Sequence, residues 1–369
     1  MSTLSLSGTT RPASWAADRP VRDIQIRNEM DEGIWRDFVE AQPAGNVFHT
    51  PEVYRMFAST ERHRQHLWAA TDTSGTPLAL FLPVEITFLN GMLRPWTSRA
   101  VAYGGVLCAD GSAGRRGVTQ LLAAYRRAAP WRALCTELRH QSDAAGISGA
   151  LGRTGFAHED HLNYLIRLDR PAADLWQGLS KTARQRVRSA TKKGAMVEEV
   201  TNESTVDEAY RLLEHVYRRA RVPLASPSLF RTALSDLRPR GMLRIFAARL
   251  EDSLIGIRFL LLHKGRILDW YAGSDRAFAS FSPNELLVWH TLRWGQEHDF
   301  RVFDFGGAGR PGEHYGPREF KAKFGGDLVN FGRDVLVHAP LRFRLSRMGY
   351  AAARGVLWGG APSAKREPA

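Results

Sequence analysis

Asp304 closes the apolar run Val302–Phe305, alternating with Phe303 and Phe305 directly before Gly306-Gly307. A carboxylate at such a strand end can orient an amine or take its proton, or it can anchor backbone N–H groups of the following loop. Arg258 interrupts the apolar strand Leu254–Leu262, and an arginine inside a sheet calls for a carboxylate or a ligand. Asp269 and Tyr271 project from one face of the run Arg266–Ala272. Further on, Pro317 suits the first turn of a short helix in which Phe320 and Phe324 share a face, and Gly325-Gly326 ends it. Lys321 lies in that helix and, from spacing alone, reads as an exposed lysine. Glu313, His314 and Tyr315 occupy the loop before it, among Gly309, Gly312 and Gly316, which is either a lid or a long connection.

A second constellation is purely basic. Between Trp176 and Lys193 one helix is expected, with Trp176, Leu179, Ala183, Val187 and Ala190 on its apolar face. Lys181, Arg184, Arg188 and Lys192 line another face at the same period, either a ridge for phosphates or a solvated face over a buried stripe. The whole chain, 369 residues with a net charge of +13, favours a polyanionic partner, nucleic acid or an anionic membrane. Arg342, Arg344, Arg347 and Arg354 stand among apolar residues in Pro340–Gly359, which fits a helix on a membrane surface, a packing helix or a tail. Only Cys108 and Cys135 are present, and the closest histidines, His63 and His66, complete no ligand set, so neither disulfides nor a metal are expected. Met1–Pro20 reads as a disordered leader rather than a signal peptide, and no apolar run is long enough to span a bilayer; a cytoplasmic protein is expected.

The elements that must position these residues alternate helix and strand. In the first half the expectations are strand Asp23–Arg27, helix Asp31–Ala41, a helix capped by Thr50-Pro51, and a hairpin around Asp72-Thr73-Ser74-Gly75. Strand Val101–Leu107, a helix through Leu121–Arg127 and strands Leu134–Leu138 and Asn163–Leu168 follow. In the second half strand Met196–Val200 and helix Asp207–Arg221 lead to a meander, Leu243–Leu250, Leu254–His263 and Arg266–Ala272. A helix from Pro283 then leads to strand Val302–Phe305. Two turns could hold a pyrophosphate, Arg276–Phe281 before a capping box at Ser282-Pro283-Asn284-Glu285, and Gly114-Arg115-Arg116-Gly117. Neither is a strong acyl-CoA signature.

The double glycine after Phe305 and the Phe320-Lys321 helix resemble the C-terminal signature of the Fem family, aminoacyl-tRNA-dependent transferases built from two GNAT-like domains. The order helix, helix, three strands, helix, strand, run twice, is similar to the GNAT acyltransferase layout. The resemblance implies an α/β fold with α+β mixed sheets in two tandem GNAT-like domains, 21–170 and 171–326, with 327–340 returning to the first and a basic segment at 341–369. It implies Lys321, after Phe320, as the catalytic stabilising charge and Tyr271 on the acceptor side; the residues themselves offer Asp304 as a second catalytic group and Arg258, Phe320 and Tyr315 as further acceptor contacts. Lys181, Arg184, Arg188 and Lys192 would meet tRNA. The expected function is transfer of an amino acid from aminoacyl-tRNA to an amine of a peptidoglycan precursor or peptide-like metabolite, without a further cofactor. The alternatives are an acetyl-CoA-type N-acyltransferase acting on an amino sugar or polysaccharide precursor, and a non-catalytic RNA-binding protein. The chain departs from the family at Thr50–Phe57, where Glu52 remains but the family's tryptophan and lysine are replaced. That argues against a standard nucleotide-linked muropeptide acceptor.

Overall fold

Backbone kinks decide how the first half is layered. A computed structural model describes residues 23–88, 91–128 and 133–357; the expected leader, Met1–Pro20, lies outside the described residues. Asp72 closes the expected hairpin, its Oδ1 accepting from the Ser74 and Thr76 amides at 2.9 Å. The strand expected over Val101–Leu107 is broken into Ser98–Tyr103 and Val106–Cys108, because Gly104 and Gly105 take φ of +87° and +79°. Strands therefore divide between a four-stranded sheet, ordered Gln25–Arg27, Trp68–Thr71, Pro77–Phe81, Val106–Cys108, and a six-stranded one. The six-stranded order is His63–Gln65, Val84–Thr87, Ser98–Tyr103, Cys135–Arg139, Arg333–Val337, Ala157–Glu159.

The 114–117 segment is no phosphate turn. It lies inside the helix Gly111–Ala128, where a Cβ on Gly114 would meet the Ala109 carbonyl at 1.9 Å and one on Gly117 would meet Leu78 Cβ at 2.9 Å. The two glycines let the helix press against the sheet, burying Val118, Leu121, Leu122 and Tyr125.

The second half is built on one seven-stranded mixed sheet, which also takes in Leu162–Arg167, a strand expected in the first half. Its order is Met196–Glu199, Leu243–Leu250, Ser253–His263, Arg266–Ser274, Val302–Gly307, Leu162–Arg167, Asp327–Asn330. Side chains alternate across it as a two-residue period requires. Phe246, Leu260 and Ile267 pack under the helices Lys181–Lys192 and Pro283–Glu297. Ile245, Ile257 and Phe259 pack under Glu203–Ala220 and Pro227–Asp236. That second core also takes in Val47, Phe48, Val53, Met56 and Phe57, so the two halves share buried apolar surface.

Local contacts override three sequence expectations. The basic helix is two, Ala172–Gly178 and Lys181–Lys192, because Ser180 caps the second: its Oγ accepts from Ala183 N at 3.1 Å and its N–H donates to Lys323 O at 2.7 Å. The capping box at 282–285 does not form. Ser282 sits at φ +49° and Glu285 is buried against Arg186, whose guanidinium donates to it at 2.5 Å. The segment 327–340, expected to return to the first domain, holds two strands, Asp327–Asn330 and Arg333–Val337, with Gly332 at φ +70° between them. The first pairs with Leu162–Arg167; the second crosses to Cys135–Arg139 and Ala157–Glu159.

Candidate active site

The central strands Arg266–Ser274 and Val302–Gly307 run parallel but register at only three positions, Arg266 with Val302, Ile267 with Phe303 and Leu268 with Asp304. Past them the strands part: pairing on one side shifts between Phe259 and Leu260, and Gly306 turns to φ +68°. The helix Gly316–Ala322 reaches this gap with Lys321, whose Nζ donates to the Phe305 and Gly307 carbonyls, both at 2.7 Å. An ammonium has three N–H groups, and these two bonds use two of them. Burial pushes the Lys321 pKa down from 10.5 to about 8, against the pull of Asp269 and Asp304.

Asp304 is fully buried. Its Oδ1 accepts from Gly306 N at 2.7 Å and its Oδ2 faces Arg266 at 3.5 Å. Burial raises its pKa, which Arg266 and the Gly306 amide oppose. Of its two sequence readings, the loop anchor is the one its contacts occupy. The carboxylate that Arg258 calls for is Asp269, to which its guanidinium donates. This pair is almost wholly buried, yet among the described residues Arg258 Nε and Asp269 Oδ1 find no hydrogen-bond partner. Such atoms each cost ~1–3 kcal/mol unless a ligand meets them. Tyr271 packs against Phe230 and Trp270 with ring centroids 4.8 and 5.0 Å away, and burial drives its pKa well above 10.

The facing wall comes from the first half, and the sequence reading missed it. Arg139 lies over the Tyr103 ring, 5.4 Å from its centroid, and donates to Glu137 at 3.1 and 3.0 Å. Arg333, from the crossing strand, donates to the same Glu137 at 2.7 Å. Burial alone would raise the Glu137 pKa, but the two arginines outweigh it and hold it at about 2. His161 stands over Gly307 and has its pKa lowered to about 4, first by burial and then by Arg333. The signal available was the alternation Thr136-Glu137-Leu138-Arg139: charges at every second place of a strand, as at Arg258.

The other expected residues are placed less centrally. Phe320 packs edge-on against Phe324 at 5.2 Å and under Lys323. Tyr315 is exposed at the start of the Lys321 helix, and the loop before it is tied down by Arg318, which donates to Ala308 O at 2.7 Å and to Arg310 O. In the basic helix Arg184 donates to the Gln177 and Leu179 carbonyls at 2.8 Å, closing the preceding helix, and Arg188 lies 5.3 Å over Trp176. Lys181 and Lys192 are exposed. This helix begins beside the end of the Lys321 helix, through the Ser180–Lys323 bond. The turn Arg276–Phe281 is a 3-10 helix held from outside by Lys193, which donates to Ser280 O at 2.7 Å and lies over the Phe281 ring.

Residues 178–321 match a family model described as an acetyltransferase (GNAT) domain. No curated protein sequence matches the chain. Among solved structures, FemX aligns with a TM-score of 0.66 at 15% identity, over 87% of this chain and 99% of its own. A tandem GNAT protein from the clavulanic acid biosynthesis pathway aligns at 0.56 and 12% identity, over 86% and 99%. The C-terminal domain of a putative lysylphosphatidylglycerol synthetase from Agrobacterium fabrum aligns at 0.55 and 15%, over 87% and 95%. The fold is therefore the expected one, mixed sheets in a tandem GNAT-like acyltransferase architecture.

Proposed function

We propose that this protein is an aminoacyltransferase, moving an amino acid from aminoacyl-tRNA to an amine of a peptidoglycan precursor or peptide-like metabolite. The observation that carries the reading is Lys321, fixed by two carbonyls at the parting of the central strands. In the reaction the amine nitrogen bonds to the ester carbonyl, the bond to the ribose oxygen breaks, the nitrogen loses a proton and the oxygen gains one. Negative charge builds on the carbonyl oxygen between those events, and Lys321 is the cation placed to meet it. The buried Asp304 anchors the glycine turn that supplies one of the carbonyls. Tyr271, with the Arg258–Asp269 pair, would position the acceptor, with Tyr315 at the entrance. Lys181 and Lys192, exposed on the helix whose start meets the end of the Lys321 helix, would take tRNA phosphates.

A second reading, an acyl-CoA-dependent N-acyltransferase, draws on the description of the matching family model. Against it, a pyrophosphate needs open backbone amides at a turn before a helix. Here Arg276–Phe281 is coiled on itself and braced by Lys193, and 114–117 is inside a helix. Lys321→Met keeps length and removes charge. With labelled aminoacyl-tRNA and a small-molecule extract as acceptor source, the variant should lose transfer by about a hundredfold or more while binding tRNA as before. Retained transfer would sink the assignment.

Association with a membrane surface fits the helix Pro340–Leu357. Leu341, Leu345 and Met348 are exposed on one face, with Arg342, Arg344 and Arg347 flanking it. No helix among the described residues is long and apolar enough to cross a membrane. Sedimentation with phosphatidylglycerol vesicles should exceed that with phosphatidylcholine vesicles and fall in L345E; equal sedimentation would remove the membrane from the account.

A further inference from the structure

We infer that Arg139 and Arg333 bind an anionic group, phosphate or carboxylate, carried by the acceptor close to its reacting amine. The inference rests on the reading of the cleft as an aminoacyl-transfer site, but the binding measurement that tests it first needs neither donor nor turnover. The two arginines are direct cross-strand partners, Arg333 on the crossing strand opposite Arg139. Like charges so placed repel, and a sheet keeps them only where something compensates. Among the described residues the carboxylate that both guanidiniums bond is Glu137, itself buried; Glu159, opposite Arg333 on the other side, is paired with Arg310. One positive charge is left over. Burial and the charge of Arg139 lower the Arg333 pKa to about 10, whereas that of Arg139 rises because Glu137 outweighs its burial.

The guanidiniums are not sealed in. The Arg139 and Arg333 side chains keep 32% and 27% exposure, against 8% for Glu137, so a ligand has more access to the arginines than to the carboxylate between them. Paired guanidiniums in a partly desolvated wall are suited to a flat or tetrahedral oxyanion. Tyr103, in register with Arg139 on the next strand, extends the row toward Tyr271.

Position assigns the site to the acceptor. Gly307 gives its carbonyl to Lys321, and a Cβ on Gly307 would lie 2.7 Å from His161 Cε1 and 3.6 Å from an Arg333 nitrogen. Lys321 and the anion site thus flank a single glycine. The basic helix assigned to tRNA adjoins the Lys321 helix instead, through Ser180 and Lys323. An amine attacking beside Lys321 therefore has its anionic group only a few bonds away.

The test is calorimetric titration of full-length protein with inorganic pyrophosphate and, separately, with N-acetylalanine, at constant ionic strength. Saturable binding of either probe, weakened about tenfold or more in both R139Q and R333Q, is the expected result. The probe that binds distinguishes a phosphate-bearing from a carboxylate-bearing acceptor. Binding of neither probe, or equal binding by the variants, overturns the proposal. So does displacement of the bound probe by charged tRNA, which would give the site to the donor. Should R333Q fail to fold, R139Q with an unchanged Tm reads the same comparison. Loss of tRNA binding or of transfer, with the probe still bound, would strike the aminoacyltransferase reading and leave the anion site standing.

Discussion

Lys321 is where the account makes its sharpest chemical statement, and pH is the natural probe. Burial holds its pKa at about 8 rather than 10.5, so the cation is present below that value and lost as pH rises through it. Transfer should therefore decline above about pH 8, with the acceptor amine's own deprotonation shaping the rising side. A rate that keeps climbing to pH 10 would mean that the charge is not used. Residue-scale chemistry was legible where a polar side chain broke an apolar run. Arg258 and Asp304 announced themselves that way, and each proved to have a charged neighbour in the sheet. Glu137 and Arg139 carried the same signal less audibly, because their strand is short and their partner, Arg333, lies 194 or more residues further on, at a position no local pattern reveals.

At the scale of elements, periodicity found the meander and its helices, while the joints between elements escaped it. The capping-box motif at 282–285 failed because Ser282 takes a left-handed φ of +49° and the Glu285 carboxylate is bonded by Arg186 instead of a backbone amide. Ser180, inside an unbroken helical pattern, cut the basic helix in two by capping its second part. That break changes what the ridge can do. Arg184 is engaged by carbonyls of the preceding helix and Arg188 by Trp176, so replacing them would disturb the fold as well as any phosphate contact. Lys181→Ala with Lys192→Ala is the cleaner experiment. The logarithmic salt slope of tRNA binding should fall by about 0.7–0.9 per lost contact, with Tm unchanged. An unaltered slope would show that the ridge is merely solvated.

Across the whole molecule, two GNAT-like halves share a core through Pro51–Ala58 and exchange a strand through Arg333–Val337. The exchange brings Arg333 against Arg139, so the cleft wall facing Lys321 exists only when both halves are in place. The surplus of thirteen positive charges suits a polyanionic partner, nucleic acid or an anionic membrane. The most direct measurement is therefore parallel titration of the protein with charged tRNA and with acetyl-CoA at near-physiological salt. Saturable binding of charged tRNA, with no binding of acetyl-CoA, is the predicted result. Saturable acetyl-CoA binding, with only weak and salt-labile tRNA binding, would contradict the central claim and make the protein a coenzyme-dependent acyltransferase.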